Sequence, residues 1–159
     1  MTRARTSSGF ALIELLISVA ILGLLAGGAM TFADLAVQRG NEELLRSDLR
    51  EIRQAIDAYK QASDAKRIKR DVDETGYPRS LSELVDGVTD VTSPKGAKIY
   101  FLRRLPRDPM ADASVPAEAT WGLRSYASPP DNPQPGRDVY DVYSMSPRKG
   151  LNGQPYGAW

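Results

Sequence analysis

Residues 9–16 read Gly9-Phe10-Ala11-Leu12-Ile13-Glu14-Leu15-Leu16 and open an apolar run, 10–33, broken by one charge, Glu14, and two hydroxyls, Ser18 and Thr31. As a helix these 24 residues extend about 36 Å, enough to cross the hydrocarbon core of a bilayer. Residues 1–9 are polar and carry Arg3 and Arg5. A basic flank favours a cytoplasmic N-terminus, which places the chain beyond about residue 34 outside the cytoplasm. Two ordinary readings account for this much. One is a cleaved secretory signal ending in Leu25-Ala26-Gly27-Gly28-Ala29; the other is an uncleaved signal anchor. Neither accounts for Glu14.

A carboxylate inside a membrane segment costs on the order of 2.5–3.5 kcal/mol at the bilayer midplane and calls for a partner. Phe10 lies one helical turn before Glu14 and follows Gly9. Cleavage between Gly9 and Phe10 would create an α-amine that is cationic at neutral pH, since such amines titrate at about 7.7–8.0. In a staggered helical assembly, Glu14 of one copy can meet that amine on its neighbour. Gly23 and Gly27 form a Gly-xxx-Gly pair, followed by Gly28. Small residues at this spacing let membrane helices approach closely, but glycine is also common in such helices generally. Gly27-Gly28 also offers a point where the helix can loosen.

The stretch 9–16 resembles the type IV prepilin signature Gly-Phe-Thr-Leu-Ile-Glu-Leu-Leu, with Ala11 in place of the usual threonine. The resemblance implies that a prepilin peptidase cuts after Gly9 and N-methylates Phe10, and that Phe10 and Glu14 support subunit docking. It implies three regions: a leader, 1–9; a transmembrane assembly helix, 10–33; and a periplasmic domain, 34–159, that includes the amphipathic half of the long helix.

Beyond the membrane segment the helical pattern continues. Leu45, Leu49, Ile52, Ile56 and Tyr59 recur at spacings of four, three, four and three and form one apolar stripe. Glu42, Arg46, Asp48, Arg50, Arg53 and Lys60 are expected on other faces. The stripe predicts the core of the chain's own domain rather than a coiled-coil seam. A helix from Phe10 to about Ala62 would extend roughly 80 Å.

Residues 64–74 hold four basic and four acidic side chains with no interleaved aromatic, which predicts a solvated connector and no nucleic-acid surface. Asp71-Val72-Asp73-Glu74-Thr75-Gly76 resembles the start of a calcium loop of the EF-hand type, but its twelfth position is Ser82 and Pro78 interrupts it. Ser80-Leu81-Ser82-Glu83 predicts a capping box that opens a short helix through about Val85, ended by Gly87. Ile99 to Leu102 predicts a short strand or a docked loop. Residues 106–136 are rich in proline and polar side chains and predict mostly loop, with a strand over 121–126. Residues 139–144 predict a further strand, with Tyr140, Val142 and Ser144 on one face. The expected fold is α+β: a long membrane-to-soluble N-terminal helix packed on a small antiparallel sheet with extended loops.

This second half resembles the major, G-type pseudopilins of type II secretion systems. The matching residues are Tyr77-Pro78, then Tyr100-Phe101-Leu102-Arg103-Arg104-Leu105-Pro106-Arg107-Asp108-Pro109, then 139–144 and Trp159. Relatives usually have Trp-Gly directly after the Asp-Pro pair; here Met110 follows, and Trp121-Gly122 comes past an insertion of about ten residues. The resemblance implies a homo-oligomeric periplasmic filament anchored at the bacterial inner membrane by a single pass. Its partners would be minor pseudopilins, the prepilin peptidase, and the inner-membrane platform with its assembly ATPase. A surface type IV pilin and a membrane-tethered binding module, with 106–136 as the recognition loop, are the competing readings.

The family also implies one bound calcium, held by a Gly-Ala-Asp-Gly-like loop after the last strand. Here that place reads Ser146-Pro147-Arg148-Lys149-Gly150-Leu151-Asn152-Gly153, and no Asp or Glu follows Asp141. Calcium takes six to eight oxygens, commonly including carboxylates, so no metal and no other cofactor is expected.

The whole chain of 159 residues has 21 Lys+Arg against 20 Asp+Glu, and neither cysteine nor histidine. The charge balance gives no general attraction to nucleic acid. Without cysteine there is no disulfide or thiolate metal site. Without histidine the commonest general base and the familiar nucleophile pairs are missing. Carboxylates and lysines remain, but the composition points away from an enzyme.

Overall fold

The computed structural model describes residues 8–159, except the side chains of 8–11 and 25–31. The chain divides into two units, Met1–Gly40 and Asn41–Trp159. A first helix, α1, runs Ser8–Asp64, two residues beyond the end expected from the apolar pattern. A second, α2, covers Ser82–Asp86. Four short strands follow: β1 (Val88–Thr89), β2 (Lys98–Ile99), β3 (Trp121–Arg124) and β4 (Asp141–Ser144). Short 3-10 turns occupy Ala117–Thr120 and Tyr156–Ala158.

In the second unit the helical stripe becomes the core. Leu45, Leu49, Ile52, Ile56 and Tyr59 are all buried, joined on the helix by Ala55 and Ala62. They pack with Leu81, Leu84, Leu102, Trp121, Val139, Val142 and Tyr156 from the remaining elements. Each fully buried Leu or Ile contributes about 1.5–3 kcal/mol of transfer free energy. Helical propensity alone is marginal, so this packing is what holds the amphipathic half of α1 in place.

The α+β class is as expected, but the sheet is two separate antiparallel ladders rather than one. β1 pairs β2 with Val88 opposite Ile99, and β3 pairs β4 with Trp121 opposite Ser144 and Arg124 opposite Asp141. Of the predicted 139–144 strand only the last four residues enter the ladder. Val142 and Ser144 are the buried face, in keeping with period-two alternation. The expected 99–102 strand stops at Ile99, because the amides of Phe101 and Leu102 both turn to the carbonyl of Leu84 in α2.

The capping box forms differently from the expected one. The amide of Arg79, not of Ser80, donates to the Glu83 carboxylate at 3.0 Å, and the hydroxyls of Ser80 and Ser82 pair with each other at 2.7 Å. Gly87 ends the helix at φ 72°, a left-handed value that favours glycine. The charged connector is docked rather than wholly solvated: Ile68 is buried, and Arg67 pairs with Asp90 at 2.6 Å.

Candidate functional site

In the described part of the first unit, α1 presents apolar side chains around its whole circumference. Leu12, Ile13, Leu15, Leu16, Ile17, Val19, Ile21, Leu22 and Leu24 are each more than half exposed. Their positions cover every direction of a 3.6-residue helix. Glu14 is exposed among them. Its backbone carbonyl accepts the Ser18 hydroxyl at 2.7 Å, a one-turn bond that keeps this hydroxyl satisfied on an apolar helix. A Cβ at Gly23 would meet no atom of the described residues within 4 Å. Gly9 and Phe10 lie in the first turn of α1, but the Phe10 side chain and the surroundings of Gly9, Gly27 and Gly28 lie outside the described residues. Among the described residues no helix is long and apolar enough to cross a membrane.

In the second unit, α1 carries a row of charged side chains along one edge of the core stripe. Glu42, expected on an outer face, is buried at 5% exposure. The reason is its spacing: it precedes Leu45 by three residues and so extends the stripe by one position. One of its carboxylate oxygens accepts the Leu151 amide at 2.8 Å and the Tyr156 hydroxyl at 2.9 Å. Arg46 lies 4.3 Å from the centre of the Trp159 ring, a cation–π contact. Arg53 donates through Nε to Asp141 at 2.7 Å, and through Nη2 to the carbonyls of Val142 at 3.1 Å and Trp159 at 2.8 Å. Further along, the Tyr59 hydroxyl donates to Glu83 at 3.2 Å. Burial first, and then that carboxylate, push the Tyr59 hydroxyl well above its ordinary pKa.

The loop after β4 returns to the helix. Lys149 bridges to Pro155, and the Gly150 amide donates to the Gln154 carbonyl at 2.8 Å. A Cβ at Gly150 would fall 2.4 Å from the Trp159 ring, so only glycine lets this ring close over the loop. Arg148 reaches the 108–111 turn, with Nη2 at 3.4 Å from the Met110 carbonyl and 3.6 Å from its sulfur. Asp108, in the same turn, is buried and accepts the Ser144 hydroxyl at 2.6 Å and the Met110 amide at 2.7 Å. The insertion after Asp108 folds back through Thr120, whose hydroxyl accepts the Asp108 amide at 3.1 Å. Trp121 Nε1 donates to the Pro106 carbonyl at 2.9 Å. The two ends of the insertion are therefore tied into the core, while 112–114 within it and 129–132 after β3 are exposed.

Residues 4–30 match the family model described as the prokaryotic N-terminal methylation motif. The chain is similar to the type II secretion system core protein G of Vibrio cholerae serotype O1, at 26% identity over 161 residues, covering 99% of this chain and 89% of that protein. It is similar to the protein of the same name from Pseudomonas aeruginosa, at 29% identity over 146 residues, covering 89% and 84%. The Klebsiella michiganensis protein of that name is 26% identical over 111 residues, covering 67% and 70%. No solved structure matches the chain.

Proposed function

From its standing as a type IV pilin-like protein of the major pseudopilin kind, we propose that this chain is a structural subunit of a type II secretion pseudopilus. A prepilin peptidase removes residues 1–9 and methylates the new amine of Phe10. Residues 10–33 hold the subunit in the bacterial inner membrane by a single pass, N-terminus in the cytoplasm and C-terminal domain in the periplasm. Subunits then leave the bilayer sideways into a helical filament, drawn by an inner-membrane platform and its ATPase and accompanied by minor pseudopilins. The filament supports the export of folded proteins. Its work is mechanical, and no reaction is assigned to the chain.

The observation that carries this reading is the α1 surface over 12–24. Apolar side chains exposed on every side are stable only when lipid or other apolar helices surround them. The single carboxylate among them, Glu14, is costly in lipid but compensated when it meets a cation. Both environments exist for a subunit that is first stored in a membrane and then packed against copies of itself. In this reading the cation is the amine that cleavage after Gly9 exposes on Phe10 of a neighbouring copy, and the match to the methylation motif supports such processing.

Deleting the chain from its own host tests the reading. Folded exoproteins should accumulate in the periplasm, and re-expression should restore their export. Normal export with loss of surface pili would instead identify a pilin.

A further inference from the structure

We propose that an edge of α1, Glu42–Arg46–Arg53, closes the C-terminal segment 145–159 in place of a calcium ion. The inference does not depend on which filament the subunit enters.

The three residues lie at i, i+4 and i+11, within about 40° of one another around a 3.6-residue helix. They face the stretch from β4 to Trp159 and sort its polar groups by sign. Glu42 takes the donors: the Leu151 amide and the Tyr156 hydroxyl. Arg53 takes the acceptors: the Asp141 carboxylate and the carbonyls of Val142 and Trp159. Arg46, between them, covers the Trp159 ring. A metal ion closes a loop by gathering oxygens that otherwise repel one another. The Arg53 guanidinium gathers three oxygens here, with a planar fork of donors suited to holding several at once.

The place where a calcium loop would lie does not suit a divalent cation. A cavity of about 360 Å³ separates the 108–111 turn from the loop at 145–148, and Asp108 is the one carboxylate lining it. Both oxygens of Asp108 are already engaged, by Ser144 and Met110. Arg148 lines the same cavity and directs its guanidinium to the Met110 carbonyl, a position from which it repels a second cation. Calcium needs six to eight oxygens, and the Asp108 oxygens leave such a site far short of carboxylate charge.

Hydrogen exchange on the detergent-solubilised full chain tests the proposal. In wild type, protection over 145–159 and the melting temperature should be the same in chelator and in millimolar calcium chloride. Glu42→Gln removes the charge but keeps the shape. It should speed exchange at the Leu151 amide, the backbone donor to Glu42, several-fold, since a hydrogen bond to a charged acceptor is about twice as strong as one to a neutral acceptor. Arg53→Lys, which keeps charge but loses the fork, should speed exchange over 156–159. Calcium should restore neither variant. A calcium-dependent rise in wild-type protection or melting temperature would overturn the proposal, as would unchanged exchange in Glu42→Gln.

Discussion

The hydroxyl of Tyr156 donates to the carboxylate of Glu42 across 2.9 Å and 114 residues of sequence. That bond joins the start of the core stripe on α1 to the final turn of the chain. Leu151 donates to the same oxygen, and Tyr156 stacks edge-on to Trp159 at 5.0 Å. The end of the chain is thus part of the core.

Tyr156→Phe keeps the ring packing and removes one donor to a buried charge. It is expected to cost about 1.5–3 kcal/mol and to lower the melting temperature by several degrees, read by circular dichroism of the detergent-solubilised chain.

Ile52 is fully buried on the stripe, whereas Leu44, on the same helix, is 55% exposed. Ile52→Ala should cost about 2–5 kcal/mol and Leu44→Ala less than about 0.5 kcal/mol. Urea midpoints of the two variants check the difference. Equal losses would mean that the stripe is not the core.

Asp90 is held down to about 2 from an ordinary 3.8, first by the Thr92 hydroxyl and then by the Arg67 guanidinium. A carboxylate with a lowered folded-state pKa stabilises the fold above its unfolded value and loses that contribution as pH falls through the folded one. Wild type should therefore lose stability between about pH 4 and pH 2 through this group. Asp90→Asn should be less stable than wild type above pH 4, with the gap closing toward pH 2. A gap that stays constant across this range of urea titrations would dissociate Asp90 from the acid response.

Glu14→Ala should leave leader removal and the melting of the second unit unchanged and abolish most filament yield in a shearing assay. Removing the charge eases burial in lipid, so failed insertion would not explain the loss. A normal yield would show that no pairing at Glu14 is needed.

The helical half of the fold is legible in the sequence because its signal is local. Spacings of three and four from Leu45 to Tyr59 identify five residues, and all five are buried. Glu42 continues the same rhythm but escapes notice because a carboxylate is counted as polar; its burial depends on Leu151 and Tyr156, more than 100 residues away. The strands are legible as segments, but their pairing is not, since no local pattern sets Trp121 opposite Ser144. The division into two ladders follows from where backbone amides find carbonyls, as with Phe101 and Leu102 at Leu84. At the candidate site, Glu14 is legible because one charge in an apolar run is conspicuous. The clamp formed by Glu42, Arg46 and Arg53 is not, because charged residues on an amphipathic helix ordinarily face water.

The central claim is that this chain is processed as a prepilin, and intact-mass and N-terminal peptide analysis of the protein extracted from membranes of its own host tests it most directly. The account predicts a mature chain that begins with N-methylated Phe10, lacking residues 1–9. A mature chain beginning near Ala29 or Met30, or an unprocessed N-terminus retaining residues 1–9, would contradict it.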